Sequence, residues 1–174
     1  MLRLTFTLLA VMFLSKSALA QSLNKERETV DFFMAYCAQT LDDFKTVRAS
    51  AKVFDWQPLT DVQLQMGAPA DPRASLEGWL AKKKNGMIFL LGLSTTPDAK
   101  ACSVGNLDFN PNELTSELQS MAILKDHTSE NALGQREQSW TADLHGNPIL
   151  IRLISSSRDD ELGGSLQAAT IKRK

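Results

Sequence analysis

Apolar residues at Val30, Phe33, Cys37, Leu41 and Phe44 recur at spacings of three and four, the period of one helical face. The spacing predicts a helix from about Lys25 to Gln39 with the Cys37 thiol on its buried side. "TLDD" follows, offering Thr40 as an N-cap with Asp43 three residues later, a capping-box pattern. Val47, Ala51 and Phe54 then continue the stripe along one side of a second helix. From Gln57 to Ser75 the pattern breaks, because Pro58, Gly67, Pro69 and Pro72 interrupt regular structure repeatedly. The segment has room for one short helical turn near Val62 to Met66, and its length marks it as either functional or loosely held.

Strand patterns begin at "LEGWLAKKKNGMIFLLGLS". Asn85-Gly86 between two strand-like runs predicts a tight hairpin, since both residues tolerate the positive φ of a primed turn. Lys82, Lys83 and Lys84 beside it read as a solvated hairpin end. "GMIFLLGL" is apolar on both parities, the signature of a strand covered on both faces. "TTPDAK" turns the chain into a short strand, "ACSVG", in which Cys102 and Val104 share one face. Next comes a well-signalled helix: Asn110 as N-cap, Pro111 in the first helical position, Glu113 placed to reach back, and Leu114, Leu118 and Met121 on the stripe. "KDHTSENALGQ" reads as a polar loop. Three strands follow, around Gln138 to Asp143, Ile149 to Ser156 and Leu166 to Lys172, separated by turns at "HGNP" and "RDDELGG". The order α-α-β-β-β-α-β-β-β predicts an α+β domain with helices packed on a mostly antiparallel sheet.

Ahead of this domain, "MLRLTFTLLAVMFLSKSALA" has a positive start at Arg3, an apolar run from Leu4 to Leu14 and a small-residue exit at Ala18-Leu19-Ala20. It reads as a secretory signal peptide over residues 1–20, leaving residues 21–174 as a single domain. The apolar run is far shorter than the ~20 residues needed to span a bilayer, so no stable membrane insertion is expected after cleavage. The expected location is periplasmic or secreted. Cleavage removes Arg3 and Lys16 and no acid, which leaves 17 basic and 20 acidic residues, a net charge of −3. Such a chain has no broad attraction for phosphate backbones, so nucleic acid is not an expected partner. The remaining 154 residues suffice for one domain with a sizeable core.

Export leads to oxidising conditions, and the chain holds two cysteines, so one intramolecular pairing is open: Cys37 with Cys102. Both lie on faces expected to be buried. The competing reading of Cys102 as a nucleophile needs a nearby activating group, and the two histidines, His127 and His145, fall in expected loops outside any cysteine-enzyme motif. The segments "FFMAYCAQTLDDF", "FDWQPL", "GWLAKKKNGMIFLL" and "ACSVGN" before a Pro-capped helix resemble small uncharacterised periplasmic two-cysteine proteins of proteobacteria. The resemblance spans roughly residues 30–125 and implies a two-cysteine exported domain, with no catalytic residues to carry over.

Other chemistry finds little foothold. The sequence has no G-x-S-x-G elbow, Walker loop, G-x-G-x-x-G, H-E-x-x-H or EF-hand loop. Ser103 and His145 form no local hydrolase pattern, and two histidines with paired cysteines supply too few zinc ligands. Asp159, Asp160 and Glu161 read as a solvated turn rather than a calcium loop. No catalytic residue, metal or cofactor is therefore expected. Trp56, Trp79 and Trp140 stand as core residues or, in the sharper reading, as the lining of a ligand groove against the sheet. The leading expectation is a non-enzymatic interaction or binding domain of the envelope with an envelope or extracellular protein partner. A periplasmic small-molecule binding module is the alternative, and an enzyme of unfamiliar type the third reading.

Overall fold

The computed structural model describes residues 25–66 and 72–171; the expected signal peptide, Gly67, Pro69 and Lys172 lie outside the described residues. Helix α1 (residues 25–36) runs into a 3-10 turn, Ala38–Thr40, and then α2, Lys45–Val53. Two-residue strand β1, Gln57–Pro58, and helix α3, Asp61–Met66, precede strands β2, Ser75–Lys82, β3, Ile88–Thr95, and β4, Lys100–Asn106. Helix α4, Pro111–Gln119, leads to β5, Leu124–Ala132, β6, Gln135–Leu144, β7, Asn147–Ser156, and β8, Gly164–Thr170. The eight strands form one sheet in the order β1-β2-β3-β4-β8-β7-β6-β5, antiparallel throughout. It is an α+β fold. Two meanders meet where β4 pairs with β8, with Cys102 opposite Ala168 and Val104 opposite Leu166.

The helical stripe is buried over Val30, Phe33, Cys37, Leu41, Phe44, Val47 and Ala51, which join Phe89, Leu91, Leu93 and Val104 of the sheet in one core. The face they cover is the inner face. Phe54, expected on the same stripe, instead lies past the end of α2 and is exposed. Cys37 and Cys102 are joined by a disulfide with their Cα atoms 5.2 Å apart, fastening the end of α1 to β4. The start of α4 is also as expected, for the Asn110 side chain accepts from the backbone N–H groups of Asn112 at 2.9 Å and Glu113 at 3.3 Å. The backbone N–H of Asn110 is taken by buried Glu26 of α1, which ties the two helices together.

Several local expectations are corrected. Thr40 does not cap α2; its hydroxyl donates to the Tyr36 carbonyl at 2.8 Å and closes α1 instead, and Asp43 accepts from the Lys45 N–H. The hairpin at Asn85-Gly86 forms, but only Gly86 has positive φ there, because the Asn85 side chain is engaged with Glu28 and the Met87 N–H. The segment expected as a polar loop is strand β5, and His127 lies in it. It shows no apolar alternation because it is an exposed edge strand held by backbone pairing to β6. The tight turn behind it is Leu133-Gly134, whose φ values of 52° and 78° place Leu133 where Asn or Asp is usual.

Candidate functional site

Side chains alternate across a strand, so the residues not in the core define a second, outer face. On β3, Phe89, Leu91 and Leu93 are buried, whereas Leu90, Gly92 and Ser94 point outward. On β4, Cys102 and Val104 are inner, and Ala101, Ser103 and Gly105 outer. The strand pairings align one outer residue from each of five strands in a single row: Gly78, Gly92, Ser103, Gln167 and Arg152. Small residues occupy the centre of this face, so the sheet backbone there forms an open floor. The apolar β3 run is thus covered by core on one side only, and Leu90 is 40% exposed on the other.

Helix α3 roofs one end of that floor. A Cβ placed on Gly78 would stand 2.8 Å from Leu64 Cδ2 and 2.9 Å from Leu59 Cδ1, so both leucines rest directly on the glycine backbone. Only glycine permits that approach. Between α3 and Arg152 lies a trough of about 700 Å³. Its α3 end is walled by Leu59, Leu64, Leu76 and Leu90, with Gln63 and Glu77 tied to Thr60 and Arg48, and from β4 to β7 it is polar, with Ser103, Ser165, Gln167 and Arg152. At ~4.8 Å per strand step, Gly78 and Arg152 are about 19 Å apart across the row.

Hydrogen bonding in the trough is incomplete. Among the described residues, the side chains of Ser103, Ser165 and Gln167 have no hydrogen-bond partner. Arg152 is anchored through Nε to Glu137 Oε1 at 3.3 Å, and its side chain is 44% exposed. That contact engages Nε and leaves the terminal N–H groups for another acceptor. Two other cations beside the sheet are committed elsewhere: Arg48 hydrogen-bonds Glu77 at 2.8 Å and holds that carboxyl below its usual range, and Lys83 does the same to Glu28.

The three tryptophans lie outside this trough. Trp56 is 9% exposed, packed edge-on to Tyr36 at 5.0 Å and beside Phe32 at 5.6 Å. It borders a shallow depression with half-buried Trp79, Arg48 and Lys52. Trp140 is apart from both, buried on β6 with its ring stacked on His127 at 4.9 Å. The structure therefore brings two of the three together. His145 sits in the β6–β7 turn, six residues along β6 from Ser139, which shares the row of Ser103. At ~3.4 Å per residue that offset alone is about 20 Å, too far for a shared proton. Asp159 is held by Arg136 at 2.7 Å, and Glu161 pairs with Arg158.

Residue-type searching passed over Leu59, Leu64, Gln167 and Arg152. The available signal was glycine inside strand patterns, at positions 78, 92 and 105, which marks close approach. Among the described residues no cluster of three or more His, Cys, Asp or Glu is arranged to hold a metal, and no helix is long and apolar enough to cross a membrane. No protein-family model, curated protein or solved structure matches this chain.

Proposed function

We propose that the protein is an exported binding domain of the bacterial envelope, with the outer-face trough as its recognition site. One observation carries this reading: a concavity of about 700 Å³ lined by the Ser103 and Ser165 hydroxyls and the Gln167 amide, which have no protein partner, and by Arg152, whose guanidinium is paired with Glu137 through Nε alone. Ligand sites are concavities of this size, largely apolar with a few orienting polar groups. Export rests on the signal-peptide pattern at residues 1–20, and the Cys37–Cys102 disulfide is compatible with an oxidising compartment. The donors in the trough suit capture of a ligand and its orientation.

The test is native mass spectrometry on the protein isolated undenatured from the envelope fraction. It should start at Gln21 and carry a non-covalent small-molecule adduct, and Gly105→Leu should lose that adduct. Position 105 has room for the change, since a Cβ there meets nothing closer than 3.6 Å. An adduct retained undiminished by Gly105→Leu would place recognition elsewhere.

A second reading, docking of an envelope protein, is favoured by Val53 and Phe54 at the end of α2, exposed by 76% and 59% beside Trp56. Loss of a captured partner on Phe54→Ser, with Gly105→Leu still binding it, would support this second reading.

A further inference from the structure

The trough has two chemically different ends, and this asymmetry specifies a ligand. Resting on the reading of the trough as a recognition site, we propose that it binds a single-chain amphiphile with a carboxylate head. The chain lies alongside α3, against Leu59, Leu64, Leu76 and Leu90, and the head reaches Arg152. The floor between them is kept low by Gly92 and Gly105, so an extended chain can lie across the strands on exposed backbone and small side chains.

Charge sets the head group. Guanidinium nitrogens match a carboxylate in a planar, paired geometry. Glu137 meets Nε of Arg152 from the adjacent strand β6, away from the apolar end, while Arg152 itself lines the trough in register with Gln167 and Ser103, so its terminal nitrogens are open to an acceptor there. One already paired arginine suits a monoanion and would leave a phosphate dianion undercompensated. Length agrees with the same reading, since the open row from Gly92 to Arg152 crosses three strand steps, about 14 Å, and fits a chain better than a compact ring. Ser103, Ser165 and Gln167 have free hydrogen-bonding capacity along the polar half.

The experiment uses the oxidised mature protein with dodecanoate, 1-dodecanol and phosphatidylglycerol vesicles as separate probes, read by amide hydrogen exchange and by titration calorimetry. Dodecanoate should protect α3, β3, β4 and β8, and should bind at least about tenfold more tightly than dodecanol, the range of one charged hydrogen bond. Arg152→Gln should remove that preference, lowering dodecanoate affinity about tenfold while changing dodecanol less than about twofold. Leu90→Glu, at an exposed outer position, should abolish dodecanoate binding by setting a charge against the alkyl chain and is a second variant should Arg152→Gln fold poorly. Equal affinity for dodecanoate and dodecanol, undiminished dodecanoate binding in a folded Arg152→Gln or Leu90→Glu protein, or protection by vesicles alone overturns the proposal. If dodecanoate fails but an extract of envelope small molecules protects the same four elements, the amphiphile assignment falls and the trough remains the site. If neither protects them, both fall.

Discussion

Gly78→Ala is the most discriminating small change the structure offers. The new methyl would stand 2.8 Å from Leu64 Cδ2, 2.9 Å from Leu59 Cδ1 and 2.8 Å from the Leu91 carbonyl oxygen. The leucines can rotate, but Leu91 O belongs to the β2–β3 ladder and cannot retreat without disturbing the pairing of Gly78 with Gly92. Overpacking of this kind costs about 1–3 kcal/mol, offset by roughly 0.5–1 kcal/mol from replacing glycine within a strand. The net loss, at most about 2.5 kcal/mol, corresponds to a fall in Tm of up to roughly 10 °C for a domain of this size. Gly105→Ala is the internal control: its nearest neighbour would be Leu90 Cβ at 3.6 Å, an ordinary contact, so Tm should hold or rise slightly. Gly92→Ala lies between, since its methyl meets only the Ser103 hydroxyl at 2.8 Å, which can turn away. Differential scanning calorimetry of the three oxidised variants gives the order. Equal Tm values for Gly78→Ala and Gly105→Ala would refute the close seating of Leu59 and Leu64 on β2, and with it the roof of the trough.

Other consequences follow from the same contacts. Replacing both cysteines by alanine opens a cross-link between residues separated by 65 positions and should cost about 4 kcal/mol in the chain-entropy account, measured by urea unfolding; a loss under about 1 kcal/mol would contradict it. Asn110→Ala removes the side-chain acceptor for Asn112 and Glu113 and should cost about 1 kcal/mol by the same assay. Hydrogen bonding from Lys83 lowers the Glu28 pKa in the folded state, so the unfolded chain binds its proton first as pH falls. That contribution is present above the ordinary glutamate pKa of about 4.3 and is lost as pH falls through the lower folded value, so Glu28→Gln should flatten the acid limb of a stability profile below about pH 5.

What the sequence makes legible is local. Spacing alone placed Val30, Phe33 and Cys37 on one buried stripe, and Asn110-Pro111 marked the start of α4, because those signals are complete within one turn of helix. Two cysteines with no third left one intramolecular pairing to consider. Strand β5 was illegible because an edge strand with a solvated surface needs no apolar alternation, and because Leu133 occupies a turn position where its residue type gives no warning. Thr40 had the right chemistry for a helix start and is used at a helix end, three to four residues from the carbonyl it meets. The trough was illegible for a different reason. Gly78, Gly92, Ser103, Gln167 and Arg152 belong to five strands, and only their register puts them in one row.

The central claim is that recognition occurs on the outer face of the sheet, between α3 and Arg152. Hydrogen-exchange mass spectrometry of the oxidised protein, with and without a small-molecule extract of the envelope, tests it most directly. Slowed exchange concentrated in Asp61–Met66, Ile88–Thr95, Lys100–Asn106 and Gly164–Thr170 is the predicted result. Slowed exchange confined to α2 and the Trp56–Trp79 depression, or to the β5 edge, would contradict it.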